Sequence, residues 1–435
     1  MRRNRWLHLL AALTAFALVA AACGDDEDDG AAEGEETTTT EGEAAGDRGN
    51  VDGTLVLGAL LPQSGDLSAI YGALSTPIDL AIDEINAAGG VNGQPVERRD
   101  GDDGTNPDVA TGSLDTLLES DKVDAIVGPA SSGTMLGIID KVRDAGVVTC
   151  SGSNTSAELT DADDGGFYFR TAPPDKFQGP ALAQLVLSDN RTKPAILTRN
   201  DSYGTGFGEA LEQALTDAGA DVVANNAYDP AAADFQADVA AVVAEAPDSV
   251  IVIGFNDDGS KIISEMIAQG VGPADIPIYT ADGMQSSSFG ESVDAANPGV
   301  VAGIKGTAPA AAPAGVTHPF TEKYAETGED TIFSSYYYDC TLLIALAAQA
   351  AGSDDSAAIR DQILEVSQGG EKCQTYADCL ALLEDGQDID YDGASGDVDL
   401  SDVGEPTSGV YDVWEYKADG TYANIEGVEQ IRIEE

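Results

Sequence analysis

Short apolar runs alternate with helical patterns along most of this chain, and this alternation constrains the fold more than any other feature. Buried strands are predicted at residues 54–60, 125–127, 147–150, 195–198, 250–253 and 278–280. Helical spacing is found between them, at residues 77–87, 116–119, 135–145, 208–218, 235–246 and 261–269. Such alternation is typical of parallel sheets that helices cover on both faces. The units are too many for one sheet, so we predict an α/β protein with two doubly wound parallel-sheet lobes.

Changes in composition mark the predicted lobe boundaries. A strand-like segment meets the pair Pro173-Pro174, and a second boundary lies in the Ala- and Pro-rich residues 307–313. Later, Gly/Asp turns and aromatic strands that end at residues 410–416 indicate a third crossing and a C-terminal hairpin. We therefore predict a first lobe over residues 51–171 with 307–388, and a second lobe over residues 172–306 with 389–435.

The first 50 residues divide into a signal, a cysteine and a tether. Residues 1–22 carry three Arg and then an uncharged apolar run, which is the layout of a secretory signal and too short for a comfortable membrane span. Residues 19–23 look like a bacterial lipobox, although Ala20 stands where Leu is preferred. We expect lipidation of Cys23 and anchoring to the outer face of the cell membrane; an ordinary signal with an incidental Cys is the alternative. Residues 23–50 hold 11 acidic residues and one basic residue, which predicts a disordered, extended tether.

The charge balance excludes several classes of partner and chemistry. The chain has 77 acidic and 21 basic residues, a net charge of −56. Nucleic acid is excluded as a partner, because phosphate binding needs a basic surface. The two histidines are His8, in the signal, and His318, so any His-dependent nucleophile would have to use a residue in a predicted loop. We expect no enzymatic activity, no cofactor and no metal.

Four cysteines follow Cys23, and an even number favours disulfides outside the cytoplasm. Cys373 and Cys379 are close in sequence, so we pair them. Cys150 with Cys340 follows by elimination, although three connectivities are formally possible.

Small polar residues follow several predicted strands, at the sheet edge where parallel sheets place their ligands. Ser131 and Ser132 stand where a helix should begin, and free N–H groups there favour a carboxylate; simple helix capping is the alternative. Ser153 and Thr155 lie in a second hydroxyl-rich loop, and the two loops together could hold one carboxylate. Asp282 follows another strand and could pair with an ammonium group, or could be a solvated turn residue.

Two further motifs fit their usual functions poorly. The glycines at 204, 206 and 208 have the spacing G-x-G-x-G and are not followed by a P-loop Lys, which argues against a nucleotide. Residues 388–393 match the first half of a calcium loop, but Asp399 occupies the twelfth position in place of the bidentate Glu.

Several sequence motifs point to one protein family. They are the stretch DEINAAGGVNG at residues 83–93, Asp102-Asp103 with Asn106-Pro107, the Ser131 loop, residues 154–160, residues 201–204, and Tyr337-Tyr338-Asp339. With these motifs the chain resembles the leucine/isoleucine/valine-binding proteins and their relatives, which serve branched-chain amino-acid ABC transporters. The resemblance covers about residue 51 to the end, and it implies the type I periplasmic binding fold, with a three-crossing hinge and ligand capture by hinge closure.

The resemblance also implies roles for individual residues. Members of the family bind the ligand carboxylate at the positions of Ser131, Ser153 and Thr155. The family contacts the ligand ammonium group at the positions of Tyr203 and Asp282. Aromatic residues at the positions of Tyr71, Phe255 and Tyr338 line the pocket for the ligand side chain. Asp282 stands where the amino-acid binders usually have the longer Glu, so the ligand stays open among amino acids, amides, urea and aromatic acids.

We therefore expect an extracytoplasmic, lipid-anchored solute-binding protein that delivers an amino acid or a similar small molecule to the permease subunits of an ABC importer. The main alternative is a sensory module that presents the same fold to a signalling partner. Such receptors usually carry a membrane helix or a fused domain, and we expect neither here.

Overall fold

The computed structural model describes residues 51–434. The predictions for the signal at 1–22, for lipidation of Cys23 and for the tether at 23–50 lie outside these residues. Within residues 51–434, no helix has the length and apolar character that a membrane span requires.

Helices surround the sheets and are numbered here in chain order. Their bounds are α1 Tyr71–Ala87, α2 Pro107–Glu119, α3 Ser132–Ala145, α4 Asp175–Ser188, α5 Ser202–Asp217, α6 Gln236–Ala244, α7 Asn256–Ala268, α8 Phe289–Val293, α9 Pro319–Ala325, α10 Ser334–Ala351, α11 Ser356–Ser367 and α12 Tyr376–Glu384.

The first lobe contains a five-stranded parallel sheet in the order β2-β1-β3-β4-β5. Its strands are β1 Val56–Leu61, β2 Glu97–Asp102, β3 Ala125–Val127, β4 Val148–Ser151 and β5 Tyr168–Arg170. All of these strands except β2 are buried along their whole length, as strands covered on both faces must be. The edge strand β2 has the sequence ERRDGD, and such charges protect an open edge from pairing with another chain.

The second lobe contains a larger mixed sheet in the order β15-β14-β10-β9-β8-β6-β7, with β16 also paired to β14. The strands are β6 Pro194–Arg199, β7 Ala224–Tyr228, β8 Ser249–Ile253, β9 Ile278–Thr280, β10 Lys305–Pro309, β14 Ser408–Tyr416, β15 Tyr422–Asn424 and β16 Ile431–Glu434. The strands from β6 to β10 run parallel, and β14 runs antiparallel to β10. The predicted C-terminal hairpin therefore closes this sheet at one edge.

Predicted and observed elements agree most closely for the buried strands: β3 and β9 have the predicted bounds, and the other predicted strands differ by one or two residues. Most helices begin earlier than predicted, whereas α6 begins one residue later, at Gln236. Helix α2 begins at Pro107, because Asn106 accepts hydrogen bonds from the backbone N–H groups of Asp108 and Val109 and so caps it. Helix α1 begins at Tyr71 and contains Pro77, the predicted start of this helix.

The chain crosses between the lobes three times, and two crossings lie later than predicted. The first follows β5, at the predicted place. The second follows β10, which pairs with β9 and β14 of the second sheet, so residues 307–309 belong to the second lobe. The third lies beyond a small sheet of β11 Glu371–Cys373, β12 Ile389–Gly393 and β13 Gly396–Asp397. This sheet packs on α10, α11 and α12, so residues 389–397 belong to the first lobe. Its short strands have no sequence pattern that assigns them to either lobe.

A buried ion pair connects two of the segments that cross between the lobes. Arg170 at the end of β5 pairs with Glu405 of the third crossing, and both side chains are almost fully buried. Lys176 lies 3.3 Å from the other oxygen of Glu405. Removing one partner of a buried pair is costly, so we expect this pair to fix the hinge geometry.

Two disulfides lie in the first lobe. Cys150 of β4 is bonded to Cys340 of α10 with a Cα–Cα distance of 5.6 Å, and Cys373 of β11 to Cys379 of α12 with a Cα–Cα distance of 5.2 Å. The first bond attaches α10 to the central sheet across 190 residues of sequence.

Candidate ligand-binding cleft

The wall from the first lobe is built by the loops that follow β3 and β4. Ser131 occupies the capping position of α3, but its side chain makes no capping hydrogen bond. The hydroxyl of Ser132 instead accepts hydrogen bonds from the backbone N–H groups of Thr155 (3.1 Å) and Ser156 (3.2 Å), which joins the two loops. The Ser131 hydroxyl and the free N–H groups of the first helical turn are thus available to an anion.

Internal hydrogen bonds fix the second of these loops. The hydroxyl of Ser153 donates to the carbonyl of Ala130 at 2.9 Å and lies 2.9 Å from the hydroxyl of Tyr337. The side-chain amide of Asn154 donates to the carbonyls of Pro129 and Ala130. Both loops are therefore preorganised, and Thr155 is held with its side chain buried.

The wall from the second lobe combines two aromatic rings with a carboxyl group. Tyr203 lies in the first turn of α5, and its ring stacks on that of Phe255 with centroids 5.3 Å apart. Asp282 follows β9, and its Oδ1 accepts hydrogen bonds from Nε2 of Gln178 at 2.7 Å and from the hydroxyl of Tyr203 at 3.4 Å.

These walls enclose one cleft between the lobes. It brings together six of the eight residues predicted to bind a ligand: Ser131, Ser153, Thr155, Tyr203, Phe255 and Asp282. The other lining residues are Leu67, Ile70, Ala130, Ser132, Gly283 and Phe333.

The structure does not place Tyr71 or Tyr338 among the residues that line the cleft. Tyr71 begins α1 and is half-buried, and the preceding residue, Ile70, reaches the cleft in its place. Tyr338 points into the first lobe, where its hydroxyl donates to Glu84 Oε2 at 2.6 Å and its ring packs on Phe320.

The aromatic residue that reaches the cleft from this region is Phe333, which sequence reasoning missed. It immediately precedes α10 and has a φ of +56°, a left-handed conformation that is unusual for a bulky residue. No sequence pattern predicts that conformation at a Phe.

Two buried carboxyl groups of the second lobe lie at the cleft or near it: Asp282 lines the cleft, and Asp175 is close enough to interact with Asp282. Burial raises the pKa of Asp282 to about 6, while the hydrogen bonds from Gln178 and Tyr203 favour its ionised form. Burial, together with the charge of Asp282, raises the pKa of Asp175 well above its ordinary value. Both carboxyl oxygens of Asp175 lack a partner with hydrogen-bond geometry, although the Thr155 hydroxyl lies near enough to lower the pKa slightly. The lining residues include no Lys or Arg, so a cation in the cleft would meet an uncompensated carboxylate.

The two walls of the cleft therefore favour opposite charges. The start of α3 and the hydroxyls beside it suit an anion, and Asp282 suits a cation. Within residues 51–434, no three His, Cys, Asp or Glu side chains converge in a way that could hold a metal ion. In the calcium-like segment, Asp390 and Asp392 both pair with Lys372.

The profile of the periplasmic binding protein family matches residues 54–411. The chain belongs to this family. The resemblance noted in the sequence and the type I periplasmic binding fold are thereby confirmed, and the chain is a binding protein and not an enzyme.

Relatives of this periplasmic binding protein include a chemotactic signal transduction system substrate-binding protein, BasB, of Halobacterium salinarum. It is 29% identical over 82% of this chain and 85% of its own length. A Leu/Ile/Val-binding protein homolog of Brucella suis is 25% identical over 86% of this chain and 93% of its own length.

Solved structures share the fold. The branched-chain amino acid transporter substrate binding protein LivJ of Streptococcus pneumoniae, in complex with isoleucine, aligns with a TM-score of 0.70 and 23% identity, over 87% of this chain and all of that one. A solute binding protein of an ABC transporter from R. palustris, in complex with 4-hydroxybenzoate, aligns with a TM-score of 0.67 and 17% identity, over 87% of this chain and 97% of that one.

Proposed function

We propose that this periplasmic binding protein captures an amino acid or a similar zwitterion in its cleft and delivers it to an ABC importer by hinge closure. The observation that carries the proposal is the opposed polarity of the two walls. Hydroxyls and helix N–H groups on the first lobe face a buried carboxyl group, Asp282, on the second. A zwitterion satisfies both ends at once, and neither charge is then buried without a partner.

The proposed roles of the lining residues follow from this polarity. Ser131 and Thr155 hold the carboxylate. Ser153 contributes as the neighbour that fixes the loop, since its hydroxyl and its N–H both bond within the first lobe. Tyr203 and Asp282 receive the ammonium group. The stacked rings of Tyr203 and Phe255 bound the ligand side chain.

Aromatic acids are the competing ligands, because a fold relative holds 4-hydroxybenzoate. Such a ligand would satisfy the hydroxyl-bearing wall but would leave the Asp282 carboxylate without a cation. Burial of an unpaired charge is unfavourable, so the Asp282 wall favours amino acids.

A thermal-shift screen tests the ligand class, since a ligand that binds only the folded protein raises its melting temperature. We expect L-leucine, L-isoleucine or L-valine to raise the melting temperature more than benzoate or 4-hydroxybenzoate does. Asp282→Ala should abolish the shift given by the amino acids and keep the fold. A larger shift with benzoate than with any amino acid would contradict the proposal.

A chemotactic receptor is the second candidate function. The relative BasB is named for chemotactic signal transduction and matches most of this chain, and both functions need the same cleft and closure. Deletion of the gene should abolish uptake of the ligand if the protein serves an importer, and should abolish attraction towards the ligand if it serves a signalling receptor.

Lipid anchoring at Cys23 completes the proposal. It rests on the lipobox-like residues 19–23 and the acidic composition of residues 24–50. Cys23→Ala should release the protein from the membrane fraction of its host. If the variant stays in that fraction, the membrane attachment has another origin.

A further inference from the structure

Charged side chains from the two lobes meet beside the cleft. Arg199 ends β6 in the second lobe, and its Nη2 lies 3.1 Å from Oδ2 of Asp66, which lies between β1 and α1 in the first lobe. The residue after Asp66, Leu67, lines the cleft, and the Arg199 guanidinium lies 3.9 Å from the ring centroid of Phe255, which also lines it. The ion pair therefore connects the two lobes next to the place where a ligand would bind.

Arg199 has two other partners, and both move with it. Nη1 lies 2.6 Å from Asp258, and Nε lies 2.6 Å from Asp201, and all three residues belong to the second lobe. The Arg199 side chain is only 6% exposed, whereas that of Asp66 is 38% exposed. If the lobes separated, Arg199 would keep two carboxylate partners and Asp66 would return to water. Breaking the contact between the lobes thus leaves no buried charge unpaired, which is the condition for a reversible contact.

The same arginine also supports the wall of the cleft. It packs on the face of Phe255, and Phe255 stacks in turn on Tyr203. A cation over an aromatic face and a stacked aromatic pair each restrict ring orientation. A ligand that contacts Phe255 therefore touches a side chain that packs on the arginine of the ion pair between the lobes.

We propose that Asp66 and Arg199 form an ionic latch that stabilises the closed form and slows the release of ligand. Both are positioning residues, since neither lines the cleft. The latch rests on the proposed function, because it matters only in a cleft that opens and closes. Since the latch forms only on closure, its loss should raise the dissociation rate and leave the association rate nearly unchanged.

Asp66→Asn tests the latch because it removes the charge and keeps the size of the side chain. With L-leucine as the probe, stopped-flow measurements should give a dissociation rate about fivefold higher than that of the parent, the upper range for a partly exposed ion pair. Asp66→Glu should restore slow release. Added KCl should raise the parental dissociation rate towards that of Asp66→Asn, because salt screens exposed charges.

Asp79→Asn is the matched control. It removes the same charge from the same lobe. Asp79 is exposed there, and its ion pair with Arg98 lies within the first lobe. Its dissociation rate should equal that of the parent. If Asp66→Asn also releases L-leucine at the parental rate, the latch is refuted.

Failure of the latch and failure of the proposed ligand class can be told apart. If L-leucine does not bind the parent, the ligand class is wrong, and small-angle scattering of the ligand-free proteins decides the latch. Asp66→Asn should then have a larger radius of gyration than the parent and Asp79→Asn, because fewer molecules are closed. Equal radii for all three proteins would refute the latch.

Discussion

Replacement of Asp282 by Asn should weaken ligand binding and stabilise the ligand-free protein. Asp282 is 6% exposed, and burial raises the pKa of its carboxyl group from 3.8 to about 6. Because the folded-state pKa lies above the unfolded-state value, ionised Asp282 opposes folding. This cost develops as the pH rises from about 4 to about 6 and is fully present above that range.

The size of both effects follows from the structure. A pKa difference of about two units corresponds to ~3 kcal/mol, an upper limit for the stability that Asp282→Asn can gain at pH 7.5. Asn keeps an oxygen for the Gln178 amide, so we expect a gain of about 1–3 kcal/mol. Loss of the charge that pairs with a ligand ammonium should cost ~2.7 kcal/mol, or about 100-fold in the dissociation constant for L-leucine.

Urea unfolding at pH 7.5 and calorimetric titration with L-leucine measure the two effects. We expect a higher urea midpoint and weaker binding in the same variant, with Asp79→Asn close to the parent in both assays. Binding as tight as that of the parent would refute the ammonium role of Asp282. A lower urea midpoint would refute the claim that the ionised Asp282 side chain destabilises the folded protein.

Three other predictions follow from the cleft and the first lobe. Affinity for L-leucine should fall about tenfold from pH 7 to pH 5, because protonated Asp282 cannot pair with an ammonium group, and Asp282→Asn should show no such dependence; an equal loss in both proteins would contradict this. Thr155→Val should weaken carboxylate ligands about fivefold to tenfold in the same titration, through loss of one hydrogen bond to a charged group, and unchanged affinity would remove Thr155 from the site. Replacing Cys150 and Cys340 together by Ser should lower the free energy of unfolding by about 2–5 kcal/mol, and an unchanged urea midpoint would show that the bond does not stabilise the protein.

The sequence by itself determined most of the buried strands and most of the cleft. Strands such as β3 and β9 are short apolar runs bounded by turn residues, and burial on both faces makes them readable without tertiary information. Parallel sheets bind ligands beyond the carboxyl ends of their strands. The loops that hold Ser131, Thr155 and Asp282 could therefore be predicted as ligand-binding loops without knowing how the lobes are arranged. Their meeting in one cleft follows from that rule and from the family resemblance.

Tertiary structure alone decided which side chains of the C-terminal half face the cleft. Helix α10 is buried on nearly all sides from Ser334 to Ala348, so its sequence has no polar face from which to infer orientation. Tyr338 therefore seemed a reasonable wall residue, whereas Phe333 fills that place through a left-handed backbone conformation. The lobe assignment of residues 389–397 was also decided by packing.

Contacts between the lobes were also beyond sequence reasoning. Asp66 and Arg199 are 133 residues apart, and each lies in a loop or at a strand end whose local pattern is satisfied without the other. Within the second lobe, Gln178 reaches Asp282 only because α4 packs against β10. Local periodicity records which face of an element is buried, but it carries no information about the partner on the other side. That partner is set by how the elements of a lobe pack and by how the two lobes close on each other.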